Sequence, residues 1–448
     1  MGLRDREDCL RLADAVLARA PDGADAEVIV EDVDSSLTRY ALNAIHQNVA
    51  ETGTQLRLRL MRDGRVGVAA VRGEMGGDAA ARLVAAAEEA RRMAPVREDL
   101  PPLPSPGQAQ ERQGGPAAWS VATAQCTPEQ RADAVAVVAG AAAARGLQAF
   151  GAMETAARQV SVVNTRGVRQ HARSSLARLT AVMRGDDGAG YADRAAADVG
   201  DVDVEALAAE VVETTVRNQA PRGVDPGDYE VVLAPYAVAE MLDHLAWTSF
   251  GALSKQEGRS FMRPGERLMS ESVTIRDDAH DANGLPFPFD WEGVTARPVT
   301  FVDAGVCRDV AYDTPTAIVD GTASTGHALP LPNVDGPLPM HVVMDGGDRG
   351  RDELIAAVRR GLYVTRFWYV REVHALRTII TGMTREGTFL IENGRISAPV
   401  RDLRFTQSIV DSLADVRGIS RERSLEVPDE GMATLAPWLH LGHFHFSS

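Results

Sequence analysis

The residues best equipped for chemistry lie in the segment Ala239-Glu240-Met-Leu-Asp243-His244. On a helix, Glu240 and His244 stand four residues apart and share a face. A carboxylate beside an imidazole is half of a metal site or an acid–base pair. The same spacing also makes an ordinary helix-surface ion pair, which is worth little, and spacing alone favours that plainer reading. The other histidines are scattered, with one dense group at His440, His443 and His445. In a strand, His443 and His445 share a face and His440 points the other way. With no Cys or carboxylate close by in sequence, an exposed edge strand explains this group better than a metal site. No HExxH, GxSxG or P-loop motif is present. Gly185–Gly190 and Asp345-Gly-Gly-Asp-Arg-Gly350 carry spaced glycines without the strand-to-helix context of a nucleotide loop. They read as a hairpin loop and as a turn leading into a helix N-cap.

Composition narrows the function classes. At 448 residues the chain is too long for one ordinary domain and fits two or three. With 45% hydrophobic and 25% charged residues, it has the make-up of a soluble globular protein. A net charge of −16 argues against a general nucleic-acid or anionic-membrane binder. Of 47 basic residues only Lys255 is a lysine, so amine chemistry has at most one candidate. Cys9, Cys126 and Cys307 are far apart and form no CxxC, which suits a reducing compartment. The charged opening MGLRDREDCL has no apolar core, so no signal peptide is expected. No apolar run approaches the roughly 18 residues of a membrane span. The expected setting is cytoplasmic, with neither nucleic acid nor membrane as partner.

The elements that must hold Glu240 and His244 are legible in outline. Residues 4–20 read as an amphipathic helix. Glu27–Glu31 and the alternating Gln55–Leu60 read as strands, the latter with Arg57 and Arg59 on its polar face. Asp63-Gly64 is a hairpin turn, and Gly77–Met93 is helical. Leu100–Pro106 is Pro-rich, and with the polar tract to Pro116 it reads as a linker. Thr127-Pro-Glu-Gln130 is a strong helix start, for a helix running to about Gly146. Hairpins follow at Asn164–Gly167 and Gly185–Gly188, then a helix over Val204–Asn218. Val231–Leu233 is a strand and Pro235 opens the helix that carries Glu240 and His244. Further on, a helix at Asp352–Arg360, capped near Asp348, precedes strands at Tyr363–Tyr369 and Thr388–Glu392 joined to a turn at Asn393-Gly394. The fold class is α+β. A small α/β N-terminal part (1–98) is followed by a linker (99–126), a helix-plus-antiparallel-sheet middle (127–224) and a large β-rich C-terminal domain (225–448).

Several segments then carry a family resemblance. They are Glu257-Gly-Arg-Ser260, Ser272-Val-Thr-Ile-Arg-Asp-Asp278, Glu292-Gly-Val-Thr-Ala-Arg297, Tyr312-Asp-Thr314, Ser324-Thr-Gly-His327, Gly361-Leu-Tyr-Val364 and Ile391-Glu-Asn-Gly-Arg-Ile396. His46-Gln-Asn48 and Asp63-Gly-Arg65 fit the N-terminal unit. In order and spacing the chain resembles the TldD/PmbA family, which has carried a DNA-gyrase modulator label and whose PmbA branch is also called TldE. The resemblance covers nearly the whole chain.

What the resemblance implies is specific. The TldD branch is a zinc metallopeptidase with HExxxH on the helix and a Cys in an Ile-Cys-Gly-Lys segment. Two His and the Cys hold zinc, and the Glu is general base. In this chain the first His position is Ala239, the Glu is Glu240, the second His is His244, and the Cys falls on Ser420, upstream of Val427-Pro428. One ligand of three remains, and a neutral hydroxyl is a poor zinc ligand beside a thiolate. The resemblance therefore implies a TldE-like subunit with no cofactor of its own, paired with a TldD-like subunit that brings the zinc and acts on unfolded or modified peptides. A homo-oligomer is the other assembly open to it. Arg259, Asp313, Thr314, Ser324, Thr325, Gly326 and His327 lie in shared motifs. The resemblance offers them as substrate cleft or subunit interface; turn geometry and internal hydrogen bonding is the plainer reading. Two further functions compete: a stand-alone, metal-independent enzyme of specialised metabolism using Glu240 and His244, for which the unusual Thr365–Tyr369 stretch leaves room, and a regulatory binding protein.

Overall fold

The computed structural model describes residues 2–447 apart from 74, 77, 99, 110–117 and 428–431. The end of the expected linker, Gly77 at the expected start of the second helix, and Pro428 lie outside the described residues.

Six antiparallel strands form the first sheet: β1 (Asp25–Ala41), β2 (Ala44–Arg62), β3 (Arg65–Arg72), β4 (Gln148–Asn164), β5 (Arg169–Arg184) and β6 (Ala189–Ala196), in the order β3-β2-β1-β4-β5-β6. The turns are where the sequence places them. Asp63 and Gly64 both take positive φ, as a two-residue hairpin loop requires. β1 pairs with β4 from Glu27↔Asn164 to Tyr40↔Gly151. The stretches 1–98 and 127–224 are thus two halves of one sheet, not separate units. Without β4, the inner edge of β1 would be an open row of backbone donors and acceptors.

Helices cover one face of this sheet. α1 (Arg6–Leu17) starts at Asp5, whose carboxylate caps the Asp8 N–H, and buries Cys9, Leu10, Ala13 and Val16. α2 (Ala79–Met93) lies against β3 so closely that a Cβ on Gly67 would stand 2.0 Å from the Ala87 carbonyl oxygen. α3 (Val121–Ala124) is a single turn. α4 (Pro128–Ala143) has the expected reciprocal cap between Thr127 and Gln130, and with α5 (Val204–Arg217) covers the half made by β4–β6. In β1, Ala26, Val28 and Val30 point to the helices.

The C-terminal part is a mixed eleven-stranded sheet. Its strands are β7 (Gly227–Leu233), β8 (Ile275–Asp277), β9 (Val299–Asp303), β10 (Val306–Cys307), β11 (His341–Met344), β12 (Arg360–His374), β13 (Ile379–Glu392), β14 (Arg395–Val400), β15 (Arg404–Ser408), β16 (Val416–Glu426) and β17 (Ala433–Phe446). The ladder closes on itself. β7 pairs with β12 on one side and β17 on the other, and β12 returns to β17 through β13 and β15. Phe367, Phe405, Phe444 and Phe446 fill the ring with centroids 4.4–5.5 Å apart in stacked, tilted and edge-on pairs, arrangements that aromatic rings favour. α6 (Pro235–Thr248) leaves β7 directly and packs on this ring. α7 (Ala252–Gln256) and α8 (Thr314–Val319) are short. α9 (Arg351–Ala357) is capped at Gly350, a neighbour of Asp348, and the Gly350 N–H donates to Glu353. The last short helix is α10 (Ile409–Ala414).

The two parts meet on the other face of the first sheet. Ile29, Val160 and Val162 pack against Phe289. Beside them Arg59 is buried between two carboxylates: it donates to Glu27 at 2.9 Å and to Glu292 at 3.2 Å, and the three are 8%, 3% and 6% exposed. The polar face that carries Arg57 and Arg59 is thus an internal contact. Arg59 joins β1 and β2 to the C-terminal part. Removing one member of a buried ionic cluster leaves uncompensated charge and costs about 3–5 kcal/mol. Arg59→Met is expected to lose that much stability in urea unfolding. Burial, outweighing the pull of Arg59 on it, already raises the Glu27 carboxyl above its ordinary value, and losing Arg59 raises it further. A carboxyl raised in the folded state favours folding when protonated. The variant should therefore regain stability as pH falls from about 8 to about 5 and lose it as pH rises.

Candidate functional site

Glu240 and His244 sit mid-way along α6, each half-buried, with Ala239 buried beneath them. The His244 ring is fixed by its own helix: Nδ1 lies 2.8 Å from the Glu240 carbonyl oxygen. That oxygen only accepts, so Nδ1 carries the proton and Nε2 of the neutral ring is left as the basic nitrogen. The Glu240 carboxylate stands further off, 3.9 Å from Nδ1. Asp243 faces inward and accepts from the Thr434 hydroxyl at 2.6 Å, which anchors α6 to β17.

Ser420 lies in β16 and is fully buried. Its hydroxyl donates to the Glu422 carbonyl at 2.6 Å and accepts the Trp438 N–H at 2.8 Å. Both hydrogen-bonding roles are spent on the backbone. The donor set does not fit zinc: a methyl at 239, an engaged hydroxyl at 420, and a single imidazole nitrogen. Among the described residues no three His, Cys, Asp or Glu side chains gather as a metal site. The C-terminal histidines divide as their alternation predicts. His440 is buried with Nε2 2.7 Å from Glu230, and the more exposed His443 and His445 both face Asp228. Their carboxylates come from β7, far away in sequence.

The other motif residues fall into three groups. Arg259 is exposed and pairs with Glu257 two residues away. Asp313, Thr314, Ser324 and Thr325 are buried in an internal network. Asp313 caps α8 through Thr316, the Thr314 N–H donates to Glu292, and the Ser324 hydroxyl donates to the Tyr312 carbonyl. Thr325 Oγ1 accepts the Tyr312 N–H and lies 2.9 Å from His327 Nδ1. Gly326 has φ +77° and no room for a side chain, since a Cβ would meet the Thr295 carbonyl at 2.5 Å. The motif segments around Glu292, Tyr312–Thr314 and Ser324–His327 therefore converge on one knot, whose far end is the Arg59 cluster.

Gly326 and His327 differ from their neighbours in facing open space. They line a cavity of about 230 Å³ between the first sheet and the C-terminal loops, with Arg158, Leu176, Phe287 and Trp291 among its walls. At its base is Asp277, fully buried, with Oδ1 3.1 Å from His327 Nε2 and Oδ2 accepting the His341 N–H at 2.7 Å. Burial alone would raise the Asp277 carboxyl, but His327 and His341 together outweigh it and hold it below its ordinary value. Sequence reasoning did not single out this cavity. A usable signal was present: Phe287-Pro-Phe-Asp-Trp291 packs three aromatics into five residues of a chain that is only 5% aromatic.

An α+β protein with a six-stranded sheet clamped to a ring-forming β-domain, and a helix laid across that ring, is a defined class. The C-terminal domain model of the PmbA/TldA metallopeptidases matches residues 226–448. The chain belongs to the PmbA/TldD family. A metalloprotease of Methanothermobacter thermautotrophicus is 26% identical over 231 residues, 50% of each chain. A metalloprotease TldD homolog of Haemophilus influenzae is 25% identical over 51% of this chain and 48% of its own. The chain thus spans about half the length of the curated relatives it matches. TldE of Thermococcus kodakarensis has the same fold, with a TM-score of 0.86 over 99% of both chains at 19% identity. So does a DNA-gyrase-modulator homologue from Thermotoga maritima, with a TM-score of 0.85 over 98% of this chain and 100% of its own at 16% identity. No helix among the described residues is long and apolar enough to cross a membrane.

The two family positions should respond differently to truncation. Ser420→Ala leaves a buried backbone N–H without a partner and is expected to cost about 1–3 kcal/mol. His244→Ala, on a partly exposed helix face, should cost less than about 1 kcal/mol. Chemical unfolding of both variants measures the contrast.

Proposed function

We propose that this chain is a TldE-like subunit without zinc of its own, which works with a TldD-like, zinc-bearing subunit in a peptidase that acts on unfolded or modified peptides. One observation carries the reading: at the family's three ligand positions the chain presents Ala239, a Ser420 hydroxyl committed to backbone, and only His244 with a free ligand nitrogen. A site that keeps one of the family's three ligand positions, with one lost on α6 and one on β16, fits a partner role better than a catalytic one. The fold shared with a protein named TldE supports the same assignment.

A partner needs a surface to hold. The β12–β13 arm exposes Trp368, Tyr369, Val373, Leu376 and Met383, an apolar concentration of the kind that marks association surfaces. Trp368 is flanked there by the guanidinium groups of Arg366 and Arg385 at 4.9 and 4.7 Å; of the unusual Thr365–Tyr369 stretch, Trp368 and Tyr369 lie on this surface while Thr365 and Phe367 are buried.

Native mass spectrometry of the chain alone, then co-expressed with an HExxxH-bearing relative, tests the proposal. The expected result is a metal-free chain that joins the relative in a hetero-oligomer with one zinc per relative. A chain that holds its own stoichiometric metal, or that ignores every such relative, overturns it and moves attention to stand-alone chemistry at Glu240 and His244. In the same assay Val373→Asp combined with Leu376→Asp should weaken the complex by about tenfold or more. Unchanged assembly would remove the arm from the interface.

A further inference from the structure

We propose that the cavity between the two sheets is a binding site for an uncharged apolar ring, such as an aromatic side chain. The cavity opens to solvent and has a volume of about 230 Å³. An engineered apolar cavity of about 150 Å³ stays dry and takes benzene, so a ring with a short substituent fits here. The rings of Phe287 and Phe289 stand 5.2 Å apart at 59°, a fixed aromatic wall against which a guest ring can pack edge to face. Leu176, Leu285, Phe287, Trp291 and Met340 all line the cavity and all remain half-exposed. Large apolar side chains left partly in solvent around one hollow are surface that a guest would cover.

The polar groups of the wall set the charge of that guest. Asp290 Oδ1 accepts the Glu292 and Val294 N–H groups, and Oδ2 accepts that of Ala328, each at 2.9 Å. Asp277 is held by His327 and the His341 N–H. Arg158 pairs with Glu31 at 2.8 Å and lies 4.7 Å over the Trp291 ring. Among the described residues each of these wall charges thus has a group of opposite charge or a donor from the protein beside it, although Asp277 Oδ1, His327 Nε2 and Arg158 Nε themselves make no hydrogen bond. A charged guest would shed its water and gain no counter-charge, which is unfavourable, whereas an apolar ring gives up nothing on entry.

The ring can belong to a peptide or to a free compound, and two probes separate these. N-acetyl-phenylalaninamide and toluene are titrated into the isolated full chain by calorimetry, with phenylacetate and benzylammonium as charged controls. Dissociation constants on the order of 1 mM or tighter for a neutral probe, with both charged controls weaker by about tenfold or more, are expected. Tighter binding of the amide assigns the site to peptide side chains. Binding of toluene alone assigns it to free apolar compounds. Absence of binding by both neutral probes, or equal binding by the charged controls, overturns the proposal.

Ala156→Phe, from β4, fills the cavity and should abolish binding while far-UV circular dichroism stays unchanged. If that variant fails to fold, Leu176→Trp on β5 supplies the same block from the neighbouring strand. Undiminished binding in a folded blocked variant also overturns the proposal. Because the chain is tested alone, the result is independent of whether it pairs with a zinc-bearing subunit.

Discussion

The architecture depends on a buried guanidinium. Arg59 lies on the face of the first sheet opposite its helices, and its two carboxylate partners come from different halves of the molecule, Glu27 on β1 and Glu292 in a C-terminal loop. Glu292 in turn accepts the Thr314 N–H, and through Tyr312, Ser324 and Thr325 the hydrogen bonds run on to His327, whose Nε2 faces the Asp277 carboxylate. Such ion clusters add little net stability over apolar packing, but they strongly disfavour any arrangement that separates their members. In this protein the cluster fixes how the C-terminal loops sit on the sheet, and hence the outline of the cavity between them.

The helix above the ring is specified in a different way. α6 is held by apolar packing along one side and by Asp243 hydrogen-bonded to Thr434. Its placement requires no metal. Of the three family positions, Ala239 packs in the core and the Ser420 hydroxyl is engaged by backbone, so the geometry of the helix is set by packing and hydrogen bonds of this chain's own residues. Site and scaffold are separable, and a family fold can persist as a binding or supporting element.

Local features were legible in the sequence because they are decided locally. Asp63-Gly64 and Asn393-Gly394 adopt the positive φ values that their residue types tolerate, and Thr127 with Gln130 forms its cap wherever the rest of the chain goes. The alternation of Gln55–Leu60 correctly placed Arg57 and Arg59 together on one face. It did not show that the face is buried, because its cover comes from Trp291, Glu292 and Leu331. The β1–β4 pairing escaped for the same reason: nothing within either strand names its distant neighbour. His440 read as a surface residue because Glu230 lies far off in sequence. The motif residues were found by their order, but their division into capping groups and cavity-lining groups depends on which way each side chain points after folding.

The position of β17 has a consequence for how the protein is made. It follows the other described strands in sequence, yet it lies inside the second sheet, bonded to β7, β11, β15 and β16. During synthesis β7 emerges about 200 residues ahead of β17 and waits for a neighbour that the ribosome has yet to produce. Until then the aromatic interior of the ring has no wall on that side, and β7 and β16 present unsatisfied edges. Such long-range closure is slow and leaves sticky intermediates. The first sheet can be complete while the second is still open, so the growing chain passes through a stage with one finished half and one exposed half. Chaperone demand should concentrate in that interval.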